Sequence, residues 1–299
     1  MEIRIIGVLS PGDMGHAIAR VLQQHGLQVI TSLRGRSPRT AALAAAAGMV
    51  DVADDETLVR EADVLLSILP PAQAYALAER IARAIEITHA SLLFADCNAI
   101  APQTVQAIEQ LIVSTGAYFA DVGIIGGPPR GGQRGPRLYA SGPHVSELAL
   151  LAAYGLDIRV LGPQSGQASG LKMCYASLTK GLTALAGEAL TTARALGLSE
   201  AFSSELRSSQ GTLLSMLERQ LPSMPPKAYR WVGEMEEIAK TFADVGLPPQ
   251  MLEGAAAFYR FVQQTELGTE TPEARQRGQT LDEVTVLLAA ALAQPPGND

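Results

Sequence analysis

Apolar and polar residues follow two regimes along this chain, and the change falls near Gly166. Upstream, short apolar runs at Ile3–Leu9, Leu27–Leu33, Val64–Leu69, Ser91–Ala95, Ala117–Asp121 and Asp157–Leu161 alternate with helical stretches. Several of these runs leave no polar face for solvent, the mark of strands in a parallel sheet covered by helices on both sides. Downstream, Leu171–Leu196, Ser203–Leu217, Tyr229–Val245, Pro249–Gln264 and Leu281–Leu292 repeat with helical period, and no further strand is predicted. Local signals agree. Ser37-Pro38 puts a cap before a proline at the first helical position, Gly48 stands where a helix ends, and Asp54 or Asp55 caps the next helix. The expected architecture is α/β: a parallel-sheet domain over 1–164, then an all-helical domain over 165–299, joined by a long helix.

Composition narrows the function classes. Of 299 residues, 47% are hydrophobic and 18% charged, enough for one large or two ordinary cores. A net charge of −7 argues against a nucleic-acid or anionic-membrane surface. Two cysteines, Cys97 and Cys174, suit a reducing compartment. No apolar stretch of membrane-spanning length and no leader segment is recognised, so the expectation is a cytoplasmic protein. The four histidines are scattered without metal-ligand spacing, and no metal site is expected.

The first strand ends in Ser10-Pro11-Gly12-Asp13-Met14-Gly15 and runs directly into a helical pattern. A strand, a small-residue turn and a helix start aim backbone N–H groups and the positive helix end at a phosphate. The dinucleotide fingerprint is G-x-G-x-x-G; Gly12 and Gly15 match it, and Ser10 stands at the first glycine. The second strand then leads into Ser32-Leu33-Arg34-Gly35-Arg36-Ser37, which holds no carboxylate for a ribose 2′-hydroxyl. Arg34 and Arg36, with the Ser37 hydroxyl, suit a 2′-phosphate, so NADP(H) is expected over NAD(H). Leu69 and Pro70, after the strand from Val64, are expected to line the cofactor by backbone contacts.

The chain resembles the 6-phosphogluconate dehydrogenase-like superfamily, specifically the β-hydroxyacid dehydrogenases. Ile6–Gly15 is similar to I-G-F-I-G-x-G-x-M-G, and Ala95-Asp96-Cys97-Asn98 with Pro102 to D-x-S-T-x-x-P or D-x-x-N. Asp121-Val122-Gly123-Ile124-Ile125-Gly126-Gly127 is similar to D-A-P-V-S-G-G, and Gly162–Lys172 to G-x-x-G-x-G-x-x-x-K. The resemblance implies an N-terminal Rossmann-like domain, a helical domain that dimerises, a cleft between them, and oxidation of a hydroxyl β to a carboxylate or the reverse reduction. The chain departs from the pattern at Ile125, where a serine that helps hold the substrate carboxylate is usual, and at Tyr175, where Asn is usual. It departs again at Gly233-Glu234, which stands for a Lys-Asp pair.

Lys172 is the expected general acid/base. It shares a helix face by spacing with Ser169, Ala176, Thr179 and Thr183, a line of small and hydroxyl residues unlike a solvated charged face. Tyr175, one turn on, is expected to bond substrate or orient the lysine, and Asn98 to bond nicotinamide ribose or substrate. Gly126, Gly127, Arg130 and Trp231 complete the expected site for an anionic small molecule. Two other readings stand beside the hydroxyacid dehydrogenase: an imine reductase on the same scaffold, and an NADP(H)-binding sensor without turnover. Lys172 argues against both.

Overall fold

The computed structural model describes residues 2–129, 135–272 and 274–292. Eight strands form one sheet: β1 (Ile5–Leu9), β2 (Gln28–Thr31), β3 (Val50–Asp51), β4 (Val64–Ser67), β5 (Leu93–Asp96), β6 (Tyr118–Ile125), β7 (Arg137–Ser141) and β8 (Asp157–Gly162). Their spatial order is β3-β2-β1-β4-β5-β6-β7-β8. The chain leaves β1 to one side for β2 and β3, then crosses to the other side for β4. Such a switch point opens a crevice at the carboxyl ends of β1 and β4, where ligands of doubly wound sheets bind.

Successive side chains point to opposite faces, and each face has its own core. Val8, Val29, Leu66 and Ala95 pack with Ile18 and Leu22 of α1 (Asp13–Gln24). Leu9, Ile30, Leu65 and Phe94 pack on the other side with Ile81 and Ile85 of the helix Ala74–Thr88. With both faces buried, a strand such as Val64–Ser67 has no room for polar alternation, which is why the sequence runs there are uniformly apolar.

The remaining helices of this unit are α2 (Pro38–Ala46), α3 (Asp55–Glu61), α4 (Ala74–Thr88), α5 (Pro102–Val113), α6 (Val145–Ala149) and α7 (Gln167–Ala176). Ser37 caps α2, its Oγ accepting from Thr40 N–H at 3.2 Å, and Asp54 caps α3 through Thr57 N–H at 2.8 Å. Two strands escaped the sequence pattern. β3 is only two exposed residues, and β7 mixes Arg137 and Tyr139 with buried neighbours. β7 also pairs antiparallel to β6, so the sheet is mostly rather than wholly parallel.

Two compact units divide the chain, Met1–Cys174 and Tyr175–Asp299. The first extends past the 164/165 boundary read from sequence because the start of α7 is bonded to the sheet, as described below. The second contains the π-helical turn Ser177–Gly181 followed by α8 (Leu182–Ala195), α9 (Ser199–Ser209), α10 (Gly211–Ser223), α11 (Ala228–Asp244), α12 (Gln250–Gln264) and α13 (Leu281–Leu292). The single helix expected over Ser203–Leu217 breaks at Gln210, where α9 ends and α10 begins. Among the described residues, no helix is long and apolar enough to cross a membrane.

Candidate functional site

The turn after β1 is built from backbone geometry. Ser10 has φ 58°, a left-handed conformation that glycine adopts freely and a serine adopts at a cost. Its carbonyl accepts from Gly12 N–H at 2.6 Å, and Gly12 then caps α1 with no side chain over the helix end. A Cβ on Gly15 would sit 3.2 Å from the Ser10 carbonyl oxygen and 3.3 Å from Val8, so a side chain there would press the helix against the strand. A Cβ on Gly12 would meet only the Ser10 oxygen, at 3.9 Å, so the space beside the start of α1 is open. That cradle fits a pyrophosphate, and the residues present fit a dinucleotide. Asp13 pairs with Arg39 at 2.5 Å. Met14 packs against the core. Since a glycine removes the left-handed strain, Ser10→Gly is expected to raise stability by about 0.5–1 kcal/mol in urea unfolding.

Beyond β2, Arg34 is exposed and Arg36 is half-buried. Burial and the nearby Arg80 hold the Arg36 guanidinium below its ordinary value, with Asp55 acting against them. A cavity of about 360 Å³ opens here, lined by Ser32, Arg34, Asp54, Asp55, Arg80 and Arg83. Glu56 also lines it, and Arg80 is paired with Asp55 at 2.5 Å, so the cavity carries as many carboxylates as arginines. Arg80 on α4 was not singled out in the sequence; its only signal is a helix position facing the β2 turn, which needs the fold to be seen.

Asn98 behaves differently from its expected role. Its side-chain oxygen accepts from Leu69 N–H at 2.8 Å, and its amide donates to Ser67 Oγ and Asp96 Oδ2, both at 3.0 Å. With 1% exposure, both amide hydrogens are spent inside the fold. Asn98 braces the ends of β4 and β5 and fixes the Leu69-Pro70 segment, rather than reaching out to a ribose or substrate. Pro70 opens the turn Pro71–Gln73 that leads into α4.

Asp121 is the centre of a second network. Its carboxylate accepts from Ser141 Oγ at 3.0 Å, Gly166 N–H at 2.9 Å, Ser169 N–H at 3.0 Å and Ser169 Oγ at 2.6 Å. Ser141 Oγ in turn accepts from Ala168 N–H at 3.0 Å. The orphan donors at the start of α7 are thus satisfied by β6 and β7, and the carboxylate sits at the positive end of the helix. Burial pushes the Asp121 carboxyl up, against the pull of these bonds. Burial pushes Asp96 up to about 7, with the Asn98 bonds opposing, the Asp121 charge adding to the rise and the Lys172 charge lowering it. Burial also pushes the Cys97 thiol well up, so it is no nucleophile.

Lys172, half-buried, lies one turn beyond Ser169. A Cβ on Gly123 of β6 would run into the Ala168 carbonyl and approach Lys172 Cβ to 3.2 Å, so a bare glycine lets the lysine's helix lie on the sheet. The arrangement carries one amine on a capped helix, and its charge is felt by the buried Asp96 carboxyl. A lysine so placed can give or take a proton. The π turn Ser177–Gly181 changes the helical register after Ala176, so Thr179 and Thr183 do not continue the face expected from spacing. Tyr175 is 47% exposed. Gly126 and Gly127 are exposed at the end of β6, and Arg130 lies outside the described residues. Trp231 packs edge-on to Tyr259, with ring centres 5.2 Å apart.

Comparison with known proteins agrees with the fold. Residues 4–149 match the NAD binding domain of 6-phosphogluconate dehydrogenase, and residues 193–262 match a domain of unknown function. A conserved protein of unknown function, whose structure reveals similarity with 3-hydroxyacid dehydrogenases, is 31% identical, with 87% of this chain and 96% of that one covered at TM-score 0.65. A 3-hydroxyisobutyrate dehydrogenase of Mycobacterium tuberculosis, solved with L-serine, has TM-score 0.67 at 17% identity, covering 99% of this chain and 100% of its own. An imine reductase of Streptomyces aurantiacus has TM-score 0.56 at 19% identity, covering 90% and 97%.

Proposed function

The chain belongs to the 6-phosphogluconate dehydrogenase-like superfamily of NAD(P)-dependent oxidoreductases, and on that premise we propose that it moves hydride between NADP(H) and a small β-hydroxy acid or its keto counterpart. The observation that carries this reading is Lys172 on a helix whose start is bonded to Asp121 and Ser141. When bound, the nicotinamide supplies the hydride acceptor or donor. Lys172 Nζ takes the hydroxyl proton in oxidation and returns a proton to the carbonyl oxygen in reduction. Ser10, Gly12 and the start of α1 hold the pyrophosphate, and Leu69 and Pro70 present backbone to the cofactor. Arg34 and Arg36, in a stretch without a carboxylate, support a 2′-phosphate, with Ser37 beside them. Gly126 and Gly127 offer backbone N–H groups to an anionic substrate. Exposed Leu178, Leu185 and Met251 support a homodimer built on the helical unit.

Two measurements test the reading. Purified protein is expected to bind NADPH more tightly than NADH, and Arg34→Ala with Arg36→Ala to weaken NADPH by about tenfold or more with NADH unchanged. Tighter NADH binding by the parent protein overturns the cofactor assignment. A panel of β-hydroxy acids, keto acids and cyclic imines, followed by NADPH absorbance, is expected to give turnover on acids. Turnover confined to imines moves the protein to the imine-reductase class, and none at all to a sensor.

A further inference from the structure

The helical unit holds a charged and aromatic cluster around Trp231, whose partners Lys180, Glu234 and Tyr259 have no role in the reaction above. The turn Ser177–Gly181 is π-helical, a geometry that is rare and recurs at functional sites. It is pinned by Tyr259 of α12, fully buried, whose hydroxyl donates to the Lys180 carbonyl at 2.5 Å. Lys180 Nζ donates to Glu234 of α11 and lies 5.3 Å from the centre of the Trp231 ring. The backbone of Lys180 is thereby fixed by a phenol, and its ammonium is located by a carboxylate and an aromatic face.

The pair is not sealed in. The Lys180 and Glu234 side chains are 20% and 11% exposed. Gly233 precedes Glu234, and a Cβ there would meet no atom within 4 Å, so the backbone beside the pair borders open space. As a stabilising device the pair is weak, because desolvation offsets most of its attraction and apolar residues of similar volume join helices as well. As a receptor it is apt: the cation is already largely desolvated, its position is set, and a flat apolar ring adjoins it.

We propose that Lys180 and Trp231 form a carboxylate-binding site in which a small organic acid draws the ammonium from Glu234 and lays its carbon chain on the indole. Glu234 is the internal competitor that balances the charge when no acid is bound. The choice of a short hydroxy acid as ligand rests on the oxidoreductase reading; the site itself does not.

Trp231 is the only tryptophan of the chain, so its emission reports this cluster. Full-length protein titrated with 3-hydroxybutanoate or malonate is expected to give a saturable emission change, and the methyl ester of the hydroxy acid to bind about tenfold more weakly. Lys180→Met is expected to weaken the acid by about tenfold or more, and Glu234→Gln, which removes the competing charge, to tighten it by about threefold or more. A flat titration with both acids overturns the site, as does equal binding of acid and ester. Should Lys180→Met unfold, Glu234→Gln decides alone: unchanged or weaker binding in a variant that melts like the parent overturns the proposal. Turnover separates the two readings. Acid binding without NADPH oxidation on any compound removes the oxidoreductase reading and leaves this site standing. Acid affinity unchanged in folded Lys180→Met, with turnover intact, removes this site alone.

Discussion

Lys172→Met is expected to lower kcat by about 10²–10⁴-fold on the compounds that the parent protein turns over, with NADPH affinity within about twofold of the parent. The split follows from where the groups sit. The pyrophosphate cradle is Ser10–Gly15 at the end of β1, and the arginines are at the end of β2. Neither contains Lys172, which rides on α7 against Gly123 of β6. Methionine keeps most of the length and packing of the side chain and removes the amino group with its charge and its proton. Lys172→Arg is expected to fail nearly as fully in the oxidation direction, because a guanidinium does not surrender its proton at neutral pH. Stopped-flow single turnovers with NADPH binding measured alongside check both. Full turnover in Lys172→Met overturns the acid/base assignment; loss of NADPH affinity together with kcat points instead to a disturbed fold.

The sequence showed the parts of this molecule that are local. Ile5–Leu9, Val64–Ser67 and Leu93–Asp96 are buried on both faces, and that burial writes itself directly into uniformly apolar runs. Caps at Ser37 and Asp54 reach only three residues ahead, so they too were legible. What escaped needs partners far away in the chain. The π turn at Ser177–Gly181 looks like ordinary helix in sequence; the hydroxyl that accompanies its deviation belongs to Tyr259, 79 residues from Lys180. The cap of α7 is not at its own start but on Asp121, 48 residues before Ser169. Asn98 was placed correctly at a strand end, yet its hydrogen bonds to Ser67 and Leu69 turn it from a ligand group into a brace. Ser10 was legible as a departure from glycine, but only its φ of 58° shows that the turn kept the glycine conformation.

Asp121→Ala is expected to cost about 3 kcal/mol or more in urea unfolding, the largest stability loss predicted for this chain. Removing the carboxylate leaves Gly166 N–H, Ser169 N–H and the Ser169 hydroxyl without their acceptor, and each buried donor so stranded costs about 1–3 kcal/mol. Asp121→Asn is expected to fall between parent and alanine variant, since one oxygen still accepts while the new amide faces donors. Because the start of α7 loosens, kcat is expected to fall with it, while NADPH binding at Ser10–Gly15 holds. The pair of buried carboxyls also carries a pH signature. Asp96 sits at about 7 in the folded protein and near ~4 when unfolded. Its bound proton therefore favours the folded state fully below about pH 4, and that contribution is lost as pH rises through about 7. Asp121 is raised by burial and acts in the same direction. Stability of the parent is expected to fall from about pH 4 to about pH 7 on account of these groups. In Asp121→Asn one group is gone and the like charge that raises Asp96 goes with it, so the slope flattens. Urea midpoints across that range check the sign: a steeper fall in the variant would mean that the two carboxyls do not share one field.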